Sequence, residues 1–243
     1  MNFLGHLLKP SVKKENTFFG KLREITALSP SNKEIYRTAF THRSLNLKDD
    51  DGNSVNFERL EFLGDSMLSI VVSSFLYKKF PHAREGELTK YRAKIVSRDN
   101  LNRIGEKMGL INLMDLDNKI NFGSNIHGNL LEALIGAVLV DKGHHKCRDF
   151  VLNKILGTYV EVDQLQYVVL SYKGLLVEWG QKTKKNVRFE TTSDEGLDPE
   201  FNYTTQVYFN EKQIVKARGI SKKKSEETAA RRAFHIMNLK GNF

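Results

Sequence analysis

The sequence contains one cysteine, Cys147, among its 243 residues. A single cysteine excludes an intramolecular disulfide and a zinc site built from several cysteines. No apolar run approaches the roughly 18 residues that a membrane-spanning helix needs. The first twenty residues also lack an apolar stretch followed by a cleavage site, which a secretory leader would have. We therefore expect a cytoplasmic protein without a membrane partner.

Positive charge is in excess, with a formal net charge of +9 and a pI of about 9.4. The excess is denser in residues 171–243 than before them. A basic surface favours a polyanionic partner such as nucleic acid. Charge alone does not identify that partner, because many basic proteins bind no nucleic acid.

The first two thirds of the chain, residues 16–160, show helical periodicity and few strand signals. Pro81 lacks a backbone N–H and is predicted to end one helix, while Gly109 and Gly143 are predicted to end two others. The predicted helices cover residues 32–38, 56–80, 87–96, 99–108, 128–141 and 145–159. The region is therefore predicted to be all-α.

The pattern changes after a short connector at residues 163–171. Its apolar residues 167–170 are predicted to pack against another part of the protein. Beyond the connector, alternation with a period of two predicts strands enclosed by two helices. The predicted elements are helix 172–182, strands 187–193, 202–209 and 213–220, and helix 221–238. This α-β-β-β-α order predicts a separate α+β domain.

Three carboxylates share one face of the predicted helix 56–80. Glu58, Glu61 and Asp65 have the spacing i, i+3 and i+7, which places them within roughly 60° of one another around a helix. Like charges crowded on one face repel each other, and a bound cation would remove that repulsion. The spacing also fits an ordinary solvated face of an amphipathic helix. The opposite, apolar face is predicted to carry Leu60, Leu63, Met67, Ile70 and Val71.

A further carboxylate, Glu132, lies in the segment Gly128–Ala137, where the predicted helix is apolar on nearly all sides. Such a helix is normally buried. A buried carboxylate is costly unless it is paired, hydrogen-bonded or bound to a metal. Glu132 is therefore either the partner of an arginine or lysine, or a metal ligand.

The segment Glu58–Ser66, with the sequence ERLEFLGDS, resembles the signature of the ribonuclease III family of double-stranded RNA endonucleases. Thr41–Ser44 and Gly128–Ala137 resemble further motifs of that family, in the expected order. The last region resembles the double-stranded RNA-binding domain. The resemblance implies a multidomain protein, with an all-α endonuclease domain at residues 16–162 and an α+β RNA-binding domain at residues 170–240.

The resemblance also implies the reaction, which is magnesium-dependent hydrolysis of double-stranded RNA that leaves 5′-phosphates and short 3′ overhangs. The implied substrates are ribosomal RNA precursors and other structured RNAs, and Mn²⁺ is an alternative ion. Magnesium prefers oxygen ligands and keeps several waters, which suits a cluster of carboxylates. Members of the family dimerise through the signature helix, so Phe62 is expected at a homodimer interface.

The resemblance assigns a role to each acidic position. Asp65 and Glu132 are the implied catalytic acids. Glu58 is an acid of the same cleft with a lesser role, and Glu85 is a further acid outside the direct metal ligands. The implied metal ligands are Glu61, Asp65, Asn129 and Glu132.

Asn129 departs from the family pattern, which usually has aspartate at this position. Its amide oxygen can still bind magnesium or a metal-bound water, but it carries no charge. We therefore expect weaker metal affinity with the geometry of the site retained.

The histidines are interpreted as structural or surface residues. His42, in the Thr41–Ser44 motif, is expected to hold helices together with Arg43 by hydrogen bonding, because a metal-bound water can supply the nucleophile. His144 and His145 lack the i, i+4 spacing of a helical metal pair and are expected at the surface.

In the second domain, Ser221 and the lysines Lys222, Lys223 and Lys224 start a predicted helix and resemble an RNA contact region. Double-stranded RNA is recognised by its shape through phosphates and 2′-hydroxyls, and lysines at a helix N-terminus suit phosphate. Glu178 matches the position that meets 2′-hydroxyls. Leu197 stands where the family often has histidine, so minor-groove contact by that loop is expected to be weak.

Two alternative functions are compatible with the same fold but involve no RNA cleavage. The chain could be a cleavage-deficient double-stranded RNA-binding protein, with Asn129 as the mark of lost activity. It could also be a ribonucleoprotein scaffold that uses the helical domain only to dimerise. A scaffold has no need of a costly carboxylate at Glu132, which favours the enzyme.

Overall fold

The computed structural model describes residues 12–114, 122–194 and 202–239, with side chains from Thr17 onward. The chain forms two compact units, residues 1–166 and residues 167–243.

Regular structure in the described part of the first unit is helical, apart from one antiparallel bridge between Lys48 and Ser54. This confirms the all-α prediction. The helices are α1 (Val12–Thr26), α2 (Lys33–Ala39), α3 (Glu58–Lys79), α4 (Glu85–Ile95), α5 (Arg98–Lys107), α6 (Ile126–Phe150) and α7 (Gly157–Tyr159). Between them, 3₁₀ turns cover Arg43–Leu45, Leu110–Leu113 and Val162–Tyr167, and Val151–Leu156 is π-helical.

Two glycines interrupt the helices where the sequence predicts it. Gly109 follows α5 in the left-handed conformation, with φ 66°. Gly143 has φ 76° inside α6 and kinks it, so that two helical segments meet there. Only glycine adopts such angles without a steric penalty, which explains both positions.

The core of the first unit lies mainly between α3 and α6. Leu68 and Val72 of α3 and Leu131 and Leu134 of α6 are fully buried. Ile70, predicted to face the core, is instead 58% exposed. At about 100° per residue, Ile70 points roughly 160° away from the fully buried Leu68 and Val72, so it lies on the opposite side of α3.

Among the described residues, one helix, α3, is long and apolar enough to cross a membrane by length and composition alone. In its most apolar stretch of 18 residues, 39% is buried inside the protein. A single helix of this kind is weak evidence for a membrane span, because the core helix of a folded domain passes the same test.

The apolar connector residues are exposed, contrary to the prediction that they pack against protein. Tyr167, Val168, Val169 and Leu170 are between 38% and 71% exposed. Tyr167 ends a 3₁₀ turn, and the other three residues lie between that turn and the next helix, so no helix or strand face directs them toward a core.

The second unit has the predicted α-β-β-β-α order. Its elements are α8 (Tyr172–Thr183), β1 (Val187–Ser193), β2 (Tyr203–Phe209), β3 (Lys212–Gly219) and α9 (Lys222–Ile236). The strands form an antiparallel sheet in the order β1-β2-β3, and Thr205 pairs with Thr191 and Ala217. Asn210 and Glu211 have positive φ, as expected for the two-residue turn of a hairpin.

Both helices of the second unit pack on one face of the sheet. Trp179 of α8 and Val207 of β2 are buried there, and small buried alanines let α9 approach closely. A chain of hydroxyl groups crosses this core, from Thr191 to Thr205 at 2.8 Å and on to the fully buried Ser225 at 2.7 Å. The chain satisfies polar atoms that would otherwise be costly to bury.

Candidate active site

Three of the predicted acids lie at the start of α3. Glu58 and Glu61 are in the first turn, and Asp65 follows one turn later. The side chain of Asn56 accepts a hydrogen bond from the Glu58 N–H at 2.9 Å and so helps to fix the helix start. Carboxylates at a helix N-terminus interact favourably with the helix dipole, which partly offsets their mutual repulsion.

Backbone packing brings α6 against this acidic part of α3. A Cβ atom added to Gly64 would overlap the carbonyl oxygen of Glu132, and one added to Gly136 would overlap the carbonyl oxygen of Leu60. The two helices therefore touch through their backbones, with a glycine on each side of the contact. This places Asn129 and Glu132, one turn apart on α6, beside the acids of α3.

Four of the five predicted acids line one open cavity of about 620 Å³ together with Asn129. Two arginines, Arg43 and Arg98, line the same cavity, as do His42 and Phe122. The acidic and amide residues on its wall are Glu58, Glu61, Asp65, Asn129 and Glu132.

The electrostatics of the cavity disfavour charge on its deepest carboxylates. Burial raises the pKa of Glu132 to about 7, with Asp65 and Glu61 adding to the effect and Arg98 opposing it. Burial and the neighbouring Glu58 likewise raise the pKa of Glu61 above its ordinary value. A cation bound here would favour the ionised forms and bring these pKa values down.

The donor set fits a partly hydrated magnesium ion. Within residues 12–114, 122–194 and 202–239, no group of three or more His, Cys, Asp or Glu side chains could hold a metal ion unaided. Magnesium does not need such a cage, because it usually keeps several waters and uses one or two carboxylates. Glu61, Asp65 and Glu132 offer carboxylate oxygens, and Asn129 offers an amide oxygen.

His42 has a local structural role at the edge of the cavity. Its side chain caps the 3₁₀ turn Arg43–Leu45, with Nδ1 2.8 Å from the Ser44 hydroxyl. Its ring lies edge-on to Phe122, with the ring centres 5.0 Å apart. Burial and the nearby Arg43 lower the pKa of His42, which favours the neutral ring.

Other predicted residues lie apart from the acids. Glu85 begins α4, outside the cavity wall, and its carboxylate accepts a hydrogen bond from Thr89 at 2.9 Å. His144 and His145 are exposed, as expected. Arg98 is a cavity residue that the sequence did not indicate, since only the docking of α5 on α6 brings it near the acids.

The predicted RNA-contact residues of the second unit lie on its two helices. Ser221 caps α9 by accepting a hydrogen bond from the Lys224 N–H at 3.2 Å, and all three lysines that follow Ser221 are exposed. Glu178 of α8 pairs with Lys182 at 3.3 Å, so part of its charge is already engaged. The loop position Leu197 lies outside the described residues.

A helical unit with an acid-lined cavity, followed by a small α-β-β-β-α unit with a basic helix start, defines a two-part class of RNA-directed nuclease. The family model described as ribonuclease-III-like matches residues 32–159, and the double-stranded RNA binding motif matches residues 172–237. This chain belongs to the ribonuclease III family. It is an endoribonuclease that acts on double-stranded RNA.

Individual relatives agree with the family models. The chain is 43% identical to ribonuclease 3 of Zunongwangia profunda, over 100% of both proteins. It is 42% identical to ribonuclease 3 of Flavobacterium psychrophilum, over 97% of both. Among solved structures, the nuclease domain of ribonuclease III from Campylobacter jejuni matches with a TM-score of 0.51 and 29% identity. That match covers 57% of this chain and 96% of the other, and its published description concerns a region involved in dimer formation.

Proposed function

We propose that this protein hydrolyses double-stranded RNA with Mg²⁺, or with Mn²⁺ in its place, and leaves 5′-phosphates and short 3′ overhangs. The proposed substrates are ribosomal RNA precursors and other structured RNAs in the cytoplasm. The observation that carries the proposal is the joint cavity of α3 and α6, where Glu61, Asp65 and Glu132 repel each other in the absence of a cation.

Glu61, Asp65, Asn129 and Glu132 would hold the magnesium ion. When bound, magnesium lowers the pKa of a coordinated water and stabilises a leaving oxygen. The protein contributes the spacing of its carboxylates, because glycine at position 64 lets the backbones of α3 and α6 come into direct contact. Glu58 would act less directly, since its carboxylate pairs with Arg43 at 3.3 Å.

We further propose that the protein acts as a homodimer, so that two acid cavities can each cut one strand of a duplex. Exposed apolar side chains on α3 support this proposal. Phe62 is 77% exposed, Ile70 58% and Tyr77 72%, and their spacing places them within roughly 80° around the helix. Large exposed apolar patches often mark protein interfaces.

The proposed reaction is tested by incubating a long RNA duplex with the full chain over a series of magnesium concentrations. We expect no cleavage with a chelator, cleavage that saturates with magnesium, and products that carry 5′-phosphates and short 3′ overhangs. Duplex binding without cleavage at every magnesium and manganese concentration would overturn the proposal. That result would instead identify a cleavage-deficient double-stranded RNA-binding protein, the alternative that Asn129 favours.

Substituting Asn129→Asp is expected to lower the magnesium concentration needed for half-maximal cleavage by about tenfold, the scale on which changes near a metal alter its affinity. The physical reason is the added negative charge on a cavity that already holds Glu61, Asp65 and Glu132. The measurement is the cleavage rate across the magnesium series. Asn153→Asp adds the same charge at an exposed position outside the cavity and is the matched control. Identical half-saturation points for all three proteins would rule out Asn129 as a metal-site residue.

A further inference from the structure

One arginine in the acid cavity, Arg98, opposes through its charge the rise in the pKa of Glu61 and Glu132 but, among the described residues, forms no ion pair with either. Arg98 is the first residue of α5, is exposed and lines the cavity with Glu61, Asp65 and Glu132. Among the described residues, no carboxylate forms an ion pair or hydrogen bond with its guanidinium. Arg43, the other arginine of the cavity, is paired with Glu58.

The backbone of α5 holds Arg98 at this place. Arg98, Asn102 and Gly105 have the spacing i, i+4 and i+7, so they share one face of α5. Asn102 accepts a hydrogen bond from the Gly128 N–H at 2.8 Å. A Cβ atom added to Gly105 would overlap the carbonyl oxygen of His127. The face that carries Arg98 therefore docks directly on the start of α6, which also carries Glu132.

A guanidinium without an ion-pair partner at this position can offset the repulsion between the acids and a phosphate group. The cavity wall carries several carboxylates, and a phosphate of RNA that approaches it is repelled by them. A guanidinium offers five N–H donors in a planar fork that matches two phosphate oxygens. Because Arg43 is already engaged, Arg98 is the cavity arginine that remains available to a phosphate.

We propose that Arg98 binds an internucleotide phosphate of the RNA strand that enters the acid cavity. This role rests on the proposed function and adds a substrate-binding residue to it. The guanidinium donates to non-bridging phosphate oxygens, and no covalent bond changes. The contact exists before the chemical step as well as during it, so it contributes to substrate binding more than to the rate of the bound complex.

The test compares Arg98→Gln with Lys107→Gln, which removes one positive charge from the exposed end of the same helix outside the cavity. At saturating magnesium, Arg98→Gln is expected to raise KM for duplex cleavage on the order of tenfold, as for a lost hydrogen bond to a charged group. The value of kcat is expected to change much less. Arg98→Lys keeps the charge without the fork and should recover part of the loss.

Salt dependence separates a phosphate contact from a purely structural effect. For Arg98→Gln, the plot of log KM against log salt should become shallower by about one unit for each phosphate contact that is lost. A structural defect would lower the melting temperature and leave that slope unchanged. KM and slope equal to those of Lys107→Gln would overturn the role of Arg98.

Duplex affinity, measured alongside, distinguishes failure of this role from failure of the proposed function. If the wild type cleaves and Arg98→Gln is unchanged, only the role of Arg98 is wrong. If the wild type never cleaves, the proposed function is wrong. In that case a weaker duplex affinity of Arg98→Gln than of Lys107→Gln still supports the phosphate contact, and equal affinities overturn it.

Discussion

Replacing Glu132 with glutamine is expected to reduce cleavage of an RNA duplex on the order of 10³-fold, the scale of several kcal/mol of lost metal-dependent stabilisation. Duplex binding should persist, because the substitution leaves Arg98 and the predicted RNA contacts on α8 and α9 in place. Glutamine keeps the shape of the side chain and removes the charge of the carboxylate. The measurement is single-turnover cleavage at saturating magnesium, with duplex affinity determined on the same samples.

Glu106→Gln is the matched control, because it removes the same charge from an exposed position on α5 outside the cavity. It should cleave like the wild type. Equal cleavage by Glu132→Gln and Glu106→Gln would contradict the catalytic role of Glu132. Loss of both cleavage and duplex binding in Glu132→Gln would point to misfolding, which its melting curve would reveal.

Without metal, Glu132→Gln is also expected to change how the free energy of unfolding depends on pH. Burial raises the pKa of Glu132 from its ordinary value of 4.5 to about 7 in the folded protein, so the fold favours the protonated form. Below pH 4.5 the side chain is protonated in both the folded and the unfolded protein, so its ionisation costs no stability. As pH rises from 4.5 toward 7, the unfolded chain ionises more readily than the folded one, and the free energy of unfolding falls. In a chelator, Glu132→Gln should match the wild type near pH 4 and exceed it by about 2 kcal/mol near pH 8. Urea unfolding at the two pH values measures this difference.

Gly64→Ala is expected to destabilise the first unit by about 3 kcal/mol or more, since the new methyl group would overlap the backbone carbonyl of Glu132. The melting temperature of this unit should fall by roughly 10 °C. Cleavage should also fall, because α6 must shift away from the acids of α3. The measurements are thermal unfolding and duplex cleavage below the new melting temperature.

Gly20→Ala provides the contrast, because nothing lies within 4 Å of a Cβ atom added at this helical position. It should raise stability by roughly 0.5–1 kcal/mol, as alanine restricts the unfolded chain more than glycine does. If both variants melt together, then α3 and α6 are not held by backbone contact at Gly64.

The class of the fold and the acidic residues of the cavity wall could be predicted from sequence. The acids of α3 share one face through local periodicity, which needs no knowledge of tertiary structure. That Glu132 joins them followed only from the family resemblance, because Glu61 and Glu132 are far apart in the chain. Glu85 was also assigned to the site by the resemblance alone, as an acid outside the direct metal ligands, and it lies outside the cavity wall.

What could not be predicted depends on how elements dock. Arg98 reaches the acids because Gly105 lets α5 approach the start of α6, and no periodic pattern encodes that contact. The prediction for Ile70 was wrong because apolar character alone does not show whether a side chain of α3 points toward the core or away from it. The prediction that Tyr167 to Leu170 pack against protein was wrong for the same reason. Apolar side chains do not by themselves provide a surface that covers them.

The acid cavity needs contact between two helices, α3 and α6, that are synthesised at different times. The helix that carries Glu58, Glu61 and Asp65 emerges from the ribosome well before the one that carries Glu132. Joining them closes a loop of some seventy residues, which opposes early assembly through its entropy. A nascent chain that ends before α6 therefore holds three acids and no finished cavity. We expect such a chain not to cut the RNA around the ribosome.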